Sequence, residues 1–176
     1  LRGLRAAGVR SLDLLVGTHA QADHLGGADE ILRAMPVAAV LDGRDGVRDR
    51  QGDELAWAAA RRGVRMLRPV AGTRLRLGEL VLDVLWPPPT PPTPGTDPND
   101  RAIVLRASAA GARVLLTADA ESSVLGPLAP GPVELFRASH HGSVDEGLPR
   151  LLDDLRPRLA VIEVGAHNTY GHPTPQ

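Results

Sequence analysis

At 176 residues the chain has the length of one ordinary domain, and its 43% hydrophobic and 23% charged residues mark a globular protein rather than a disordered one. A net charge of −1 excludes a global positive field, and the lack of cysteine excludes disulfides, thiolate metal sites and a cysteine nucleophile. No apolar run approaches the roughly 18 residues that cross a bilayer, and with aromatics at 2% the core has to be built from Leu, Val, Ala and Ile.

The sequence opens at Leu1 inside a helical pattern, and we expect a piece of a longer polypeptide. An apolar run at Leu12–Gly17 predicts a buried strand that runs into a polar loop. Residues 28–35 have helical spacing and stop before Pro36; residues 37–41 read as the next buried strand. A helix is predicted over 53–62, with Asp53 as N-cap and Gly63 as the stop. The arginines that cluster here (Arg44, Arg48 and Arg50; Arg61, Arg62, Arg65 and Arg68) read as solvated faces. Strands are predicted at 64–67 and Leu80–Trp86, with Arg74, Arg76 and Gly78 in a hairpin between them. The prolines of 87–98 forbid helix and central strand, so this stretch is expected as an exposed loop. Residues 103–107 and 113–117 pair as a hairpin across Ala109-Ala110-Gly111. A short helix after Asp119, a strand at 133–138, a helix at Leu148–Leu155 and a last strand at 159–164 complete the reading. Alternating strands and helices with added hairpins make a layered α/β protein with a mixed sheet.

The chemistry lies in polar motifs just beyond strand ends, where sites in such folds commonly sit. Thr18-His19-Ala20-Gln21-Ala22-Asp23-His24-Leu25-Gly26-Gly27 holds two imidazoles and a carboxylate within six residues, followed by a glycine pair that allows a tight turn. Imidazole and carboxylate are what zinc, manganese and iron sites use when no thiolate is present. Asp119, in Leu115-Leu116-Thr117-Ala118-Asp119-Ala120-Glu121, taken alone reads as a helix cap, and Glu121 as a first-turn helix residue. Ser139-His140-His141-Gly142-Ser143 offers two imidazoles that project differently, one for a metal and one for a substrate oxyanion. Gly165-Ala166-His167-Asn168-Thr169-Tyr170-Gly171-His172-Pro173 adds a further imidazole and an amide.

Together these motifs resemble the metallo-β-lactamase superfamily, and Thr117-Ala118-Asp119, Ser139-His140-His141-Gly142-Ser143, Tyr170-Gly171-His172-Pro173 and Asn99-Asp100 resemble its ComEC branch, the hydrolase domain of competence DNA-uptake proteins. The resemblance runs from about Leu4 to the C-terminus. It implies an αββα sandwich as a single domain over residues 1–176, lacking the family's first strands and their acidic motif. It implies one or two divalent metal ions, zinc or manganese, held by His19, Asp23, His24, Asp119, His140 and His172, with Asp119 as the bridge. Of the adjacent pair, His140 is the favoured ligand. His141 and Asn168 are left to contact the substrate phosphate, with Ser143 and Asn99 as further substrate contacts. The implied activity is hydrolysis of a DNA phosphodiester by hydroxide available at neutral pH, on single-stranded DNA. The implied setting is the extracytoplasmic side of an integral membrane protein, beside a channel formed by the rest of that protein. Gln21, a neutral and poor ligand, stands where the superfamily loop often has a second His or an Asp. Two readings therefore compete with the nuclease: a hydrolase of a small phosphodiester or lactone, and a metal-deficient module that binds DNA or a partner.

Overall fold

The computed structural model describes residues 1–93 and 95–175. The chain forms two compact units, one from Leu1–Pro69 with the short stretch from Thr90, the other from Val70–Pro89 with the segment from Gly95 onward.

The first unit runs α1 (Arg2–Ala6), β1 (Leu12–Gly17), α2 (Ala22–Leu25), α3 (Ala28–Ala34), β2 (Val37–Asp42), α4 (Arg50–Arg62) and β3 (Arg65–Leu67). Its three strands make a parallel sheet in the order β1-β2-β3, with Leu14 opposite Ala39 and Val40 opposite Met66. Helix α3 stops at Met35, in extended conformation, because Pro36 disfavours helical backbone in the residue before it. The predicted start of α4 needs correction. Asp49, not Asp53, is the cap: it is extended (φ −147°) and its carboxylate accepts from the Gly52 amide at 2.9 Å. Asp53 falls in the first turn, where an acid complements the helix dipole. Gly63 ends α4 in left-handed conformation (φ 62°), as expected. Leu25, Leu32, Val40 and Leu55 are buried together as this unit's core, each burial worth roughly 1.5–3 kcal/mol.

The second unit carries β4 (Arg74–Leu77), β5 (Leu80–Trp86), a 3-10 turn (Pro98–Arg101), β6 (Val104–Ala109), β7 (Ala112–Leu116), α5 (Ser122–Leu128), β8 (Leu135–Arg137), a 3-10 turn (Ser139–Gly142), α6 (Leu148–Leu155) and β9 (Leu159–Val161). These six strands form one mixed sheet in sequence order, antiparallel from β4 to β7 and parallel from β7 to β9. Residues 74–77 are thus a strand in their own right; with alternating Arg and Leu, they show one polar and one apolar face to the sheet. The β6–β7 hairpin turns on Ala110 and Gly111, both at positive φ (49° and 79°), as a two-residue turn matching strand twist requires. Helices α5 and α6 bury Leu125, Leu151 and Leu155 against Val104, Leu115 and Phe136 of the sheet.

On this sheet Asp83 stands between Arg74 (2.6 Å) and Arg106 (3.1 Å), its register partners on the neighbouring strands. The Arg74 guanidinium, with help from Arg106, holds the Asp83 carboxyl below its ordinary value of 3.8. A group depressed on folding contributes stability above its unfolded pKa and loses it as pH falls through the folded one. We therefore expect the urea midpoint to fall between about pH 5 and pH 2. Asp83→Asn should remove part of that acid dependence while leaving the slope above pH 6 unaltered, as urea melts at stepped pH would show.

Candidate functional site

In the first unit the loop after β1 places His19 and His24 ring against ring, centroids 4.1 Å apart. Thr18 fixes both: its hydroxyl lies 3.0 Å from His19 Nδ1 and 3.2 Å from His24 Nδ1, leaving Nε2 as each ring's other ligand atom. His19 is 1% exposed, whereas the Asp23 carboxylate is solvent-facing, 3.6 Å from His24 Nε2. Gln21 caps α2 without using its side chain for the cap. The glycine pair forms the turn between α2 and α3, as expected. Gly26 is helical (φ −61°), and its role is close approach: a Cβ there would meet the Ala22 carbonyl oxygen at 2.4 Å.

In the second unit Asp119, His140, His141 and His172 gather beyond the ends of β7, β8 and β9. Asp119 is 1% exposed and is not the cap of α5; Glu121 occupies that position. His141 Nε2 lies 3.7 Å and His140 Nε2 3.9 Å from the same Asp119 oxygen, Oδ2. The Nδ1 atoms are committed elsewhere: that of His140 to the Glu121 carboxylate at 2.9 Å, that of His141 to the Glu163 backbone carbonyl at 2.7 Å. A carbonyl only accepts, so His141 Nδ1 carries the proton, and in the neutral ring Nε2 is a bare lone pair aimed at a carboxylate. Two acceptors facing one another repel unless a cation or proton lies between them. Outer partners on Nδ1 that fix tautomer and orientation are the pattern of metal-ligating histidines.

The backbone is strained in the same place. Ala118 (φ 48°), His140 (φ 45°) and His141 (φ 54°) are left-handed without being glycine, a conformation that costs on the order of 1–3 kcal/mol each and persists where surroundings impose it. The C-terminal loop docks on this turn. Thr174 donates its amide (2.9 Å) and hydroxyl (3.0 Å) to the Gly142 carbonyl, and a Cβ on Gly142 would meet Pro173 Cβ at 2.8 Å. Within that loop the Asn168 amide bonds the His172 carbonyl (2.9 Å) and accepts the His172 amide (3.0 Å), clamping His172, whose ring sits 5.9 Å from that of His140. His172 Nδ1 is buried with no hydrogen-bond partner among the described residues. Ser143 follows the histidine turn and lines a cavity of about 190 Å³ with Ser139, Ile162 and Pro173. Asn99 lies on the 3-10 turn before β6, its backbone amide bonded to Asp97.

Three further residues shape this cluster and were not legible as functional. Glu121 orients His140. Arg137, buried on β8, donates to the Ala118 carbonyl, lies 3.8 Å from Asp119 Oδ1 and pairs with Glu163 at 3.3 Å. Glu163, through its own carbonyl, holds His141. The acid two residues after Asp119 and the arginine three before His140 were the signals available. Outer-shell partners of this kind are worth about 10–100-fold in metal affinity. Glu121→Gln should accordingly weaken manganese binding by about that factor, measured by calorimetry, with little change in far-UV circular dichroism.

Donors of this kind, imidazole and carboxylate without thiolate, fit a divalent metal. Among the described residues no helix is long and apolar enough to cross a membrane.

Over residues 2–167 the chain matches the model of the metallo-beta-lactamase superfamily. It is 29% identical to ComE operon protein 3 of Bacillus subtilis (strain 168), across 97% of this chain and 22% of that protein. It is likewise 29% identical to Competence protein ComA of Neisseria gonorrhoeae, across 97% and 23%. The chain thus spans less than a quarter of the length of these relatives. Among solved structures it resembles a CmlA beta-hydroxylase mutant, with a TM-score of 0.56 at 16% identity over 86% of this chain and 36% of that one, a likeness of fold alone. The matched superfamily consists mostly of metal-dependent hydrolases and typically binds divalent metals. With its mixed α/β fold and its histidine and aspartate motifs at the strand ends, the chain belongs to the metallo-β-lactamase superfamily.

Proposed function

We propose that this chain is a metal-dependent phosphodiesterase that cuts DNA, single-stranded for preference, in competence-type DNA uptake. The observation that carries the reading is the buried Asp119 carboxylate faced by two imidazole Nε2 atoms whose Nδ1 atoms are already committed. The competence proteins among its relatives support DNA as the substrate.

In this reading residues 1–176 are a single metallo-β-lactamase-like domain. His19, Asp23, His24, Asp119, His140 and His172 would hold one or two manganese or zinc ions. Bound there, such ions supply a Lewis acid and hydroxide at neutral pH. Thr18, Glu121 and the Glu163 carbonyl hold the imidazoles in orientation. His141 faces the phosphate and, with a proton on Nε2 as well as on the Nδ1 held by Glu163, counters charge that grows on its oxygens. Asn168 serves the same end by holding the His172 loop, and Ser143 and Asn99 contact the substrate chain. The domain works on the extracytoplasmic side of an integral membrane protein, next to the channel portion of its parent.

The test is cleavage of a labelled single-stranded oligonucleotide with manganese, beside a small chromogenic phosphodiester and a lactone. Cutting of the polymer, lost with chelator, supports the nuclease. Turnover of a small substrate alone moves the assignment to a small-molecule hydrolase, and no turnover by folded protein leaves the binding module.

A further inference from the structure

The second unit's sheet changes character along one face. Under α5 and α6 that face is apolar, with Val104, Leu115 and Phe136 buried. Beyond the helices it turns basic. Strand register puts Arg74, Asp83 and Arg106 in one row and Arg76, Val81, Ser108 and Arg113 in the next. Side chains two residues apart on a strand share a face, so these rows form one surface. It carries four arginines against Asp83 and Glu134, the latter paired with Arg113 at 3.2 Å, in a chain whose net charge is −1. At the rim, Glu79 stands exposed in the β4–β5 turn. Arg106 and Arg113 are engaged by neighbours, Arg106 by Asp83 and the Pro130 carbonyl and Arg113 by Glu134, whereas Arg74 and Arg76 keep donors to spare. Asp83 takes the Nε–H of Arg74 and one terminal amino group of Arg106, so both terminal amino groups of Arg74 remain for another acceptor. Arg76 is exposed and makes no ion pair among the described residues.

We propose that this face is a docking track for the phosphates of a nucleic-acid strand, separate from the catalytic cluster and serving to hold the chain being cut. Guanidinium forks match phosphate geometry, and a flat array of them on a sheet offers successive contacts to a polymer. Arg113 is the second residue of β7, and Asp119 lies beyond the strand's end at Leu116, so at about 3.3 Å per residue the strand alone sets the two roughly 10 Å apart. Only a substrate longer than one nucleotide reaches both. No large apolar side chain is exposed in the two rows (Val81 is half-buried and Leu115 buried), which disfavours a lipid surface.

The inference rests on the nuclease reading of the site, and its test is separate from cleavage. Anisotropy of a fluorescein-labelled oligothymidylate is followed against sodium chloride, in chelator, for the protein, for Arg74→Ser/Arg76→Ser, and for the charge-matched Arg2→Ser/Arg5→Ser on α1. Each lost phosphate contact should flatten the slope of log affinity against log salt by about 0.7, hence by about 1.4 for the sheet pair, with little change for the control. Equal slopes in the two variants overturn the track, even if manganese-dependent cutting persists. Binding to phosphatidylserine vesicles that needs Arg74 and Arg76, without oligonucleotide binding, overturns it as well. Loss of cutting with the salt slope intact strikes the nuclease reading and leaves the track standing.

Discussion

Asp119→Ala is expected to reduce manganese-dependent cleavage of single-stranded DNA by at least about a thousandfold, the scale of losing a preorganised charge at the reacting centre. Burial sets the size of the effect. A carboxylate that is 1% exposed is retained against its desolvation cost only where cations face it. Arg137 faces one oxygen, and the other meets two imidazole nitrogens whose tautomers leave lone pairs toward it. Among the described residues of this cluster the other carboxylates are engaged, Glu121 by His140 and Glu163 by Arg137. Asp119→Asn keeps the volume and removes the charge, so it separates loss of fold from loss of ligand. Single-turnover cleavage and metal content, read together on both variants, should fall in parallel. A variant that binds no metal yet cuts at the original rate contradicts the ligand role.

Arg137→Met is expected to lower metal-free stability by about 3 kcal/mol, because removing one partner of a buried pair leaves the other charge uncompensated. For a chain of this length that corresponds to a fall in Tm of about 6–12 °C. The guanidinium is 11% exposed and Asp119 1%, so solvent screens the pair little. Arg137 also donates to the carbonyl of Ala118, which is held left-handed at φ 48°, so the loop that presents Asp119 should loosen as well. Arg137→Lys keeps the charge without the fork and should recover part of the loss. The double variant with Asp119→Ala should lose less than the sum of the two, since the pair couples. Thermal melts in chelator measure all four, and a shift below about 2 °C for Arg137→Met means that the pair contributes no net stability.

The parts of this molecule readable from sequence are those where a local pattern determines the outcome. Leu12–Gly17, Leu80–Trp86 and Leu148–Leu155 have the expected bounds because apolar runs and helical spacing are local properties. Sequence does not select the cap of α4, because Asp49 and Asp53 are equally good acceptors four residues apart and only backbone conformation chooses between them. Residues 74–77 looked like turn because their arginines point outward, yet their leucines face the apolar side of the sheet. At the site, the spacing of His19, Asp23 and His24 and the doublet His140-His141 are written in sequence. The roles of Glu121, Arg137 and Glu163 are not, because each acts on a residue 19 to 22 positions away through strand pairing and loop docking. Asn168 was expected at the substrate, and its amide holds the backbone of His172, a contact that depends on how the loop folds on itself.

The most direct test of the proposed metal centre is the amount of manganese or zinc bound per folded chain, by mass spectrometry after dialysis and by calorimetric titration, beside a variant with His19 and His24 both changed to Ala. The proposed centre binds one or two ions per chain and loses at least one in the variant. Folded protein that takes up no stoichiometric metal, or a variant that binds as much as the original chain, would contradict it.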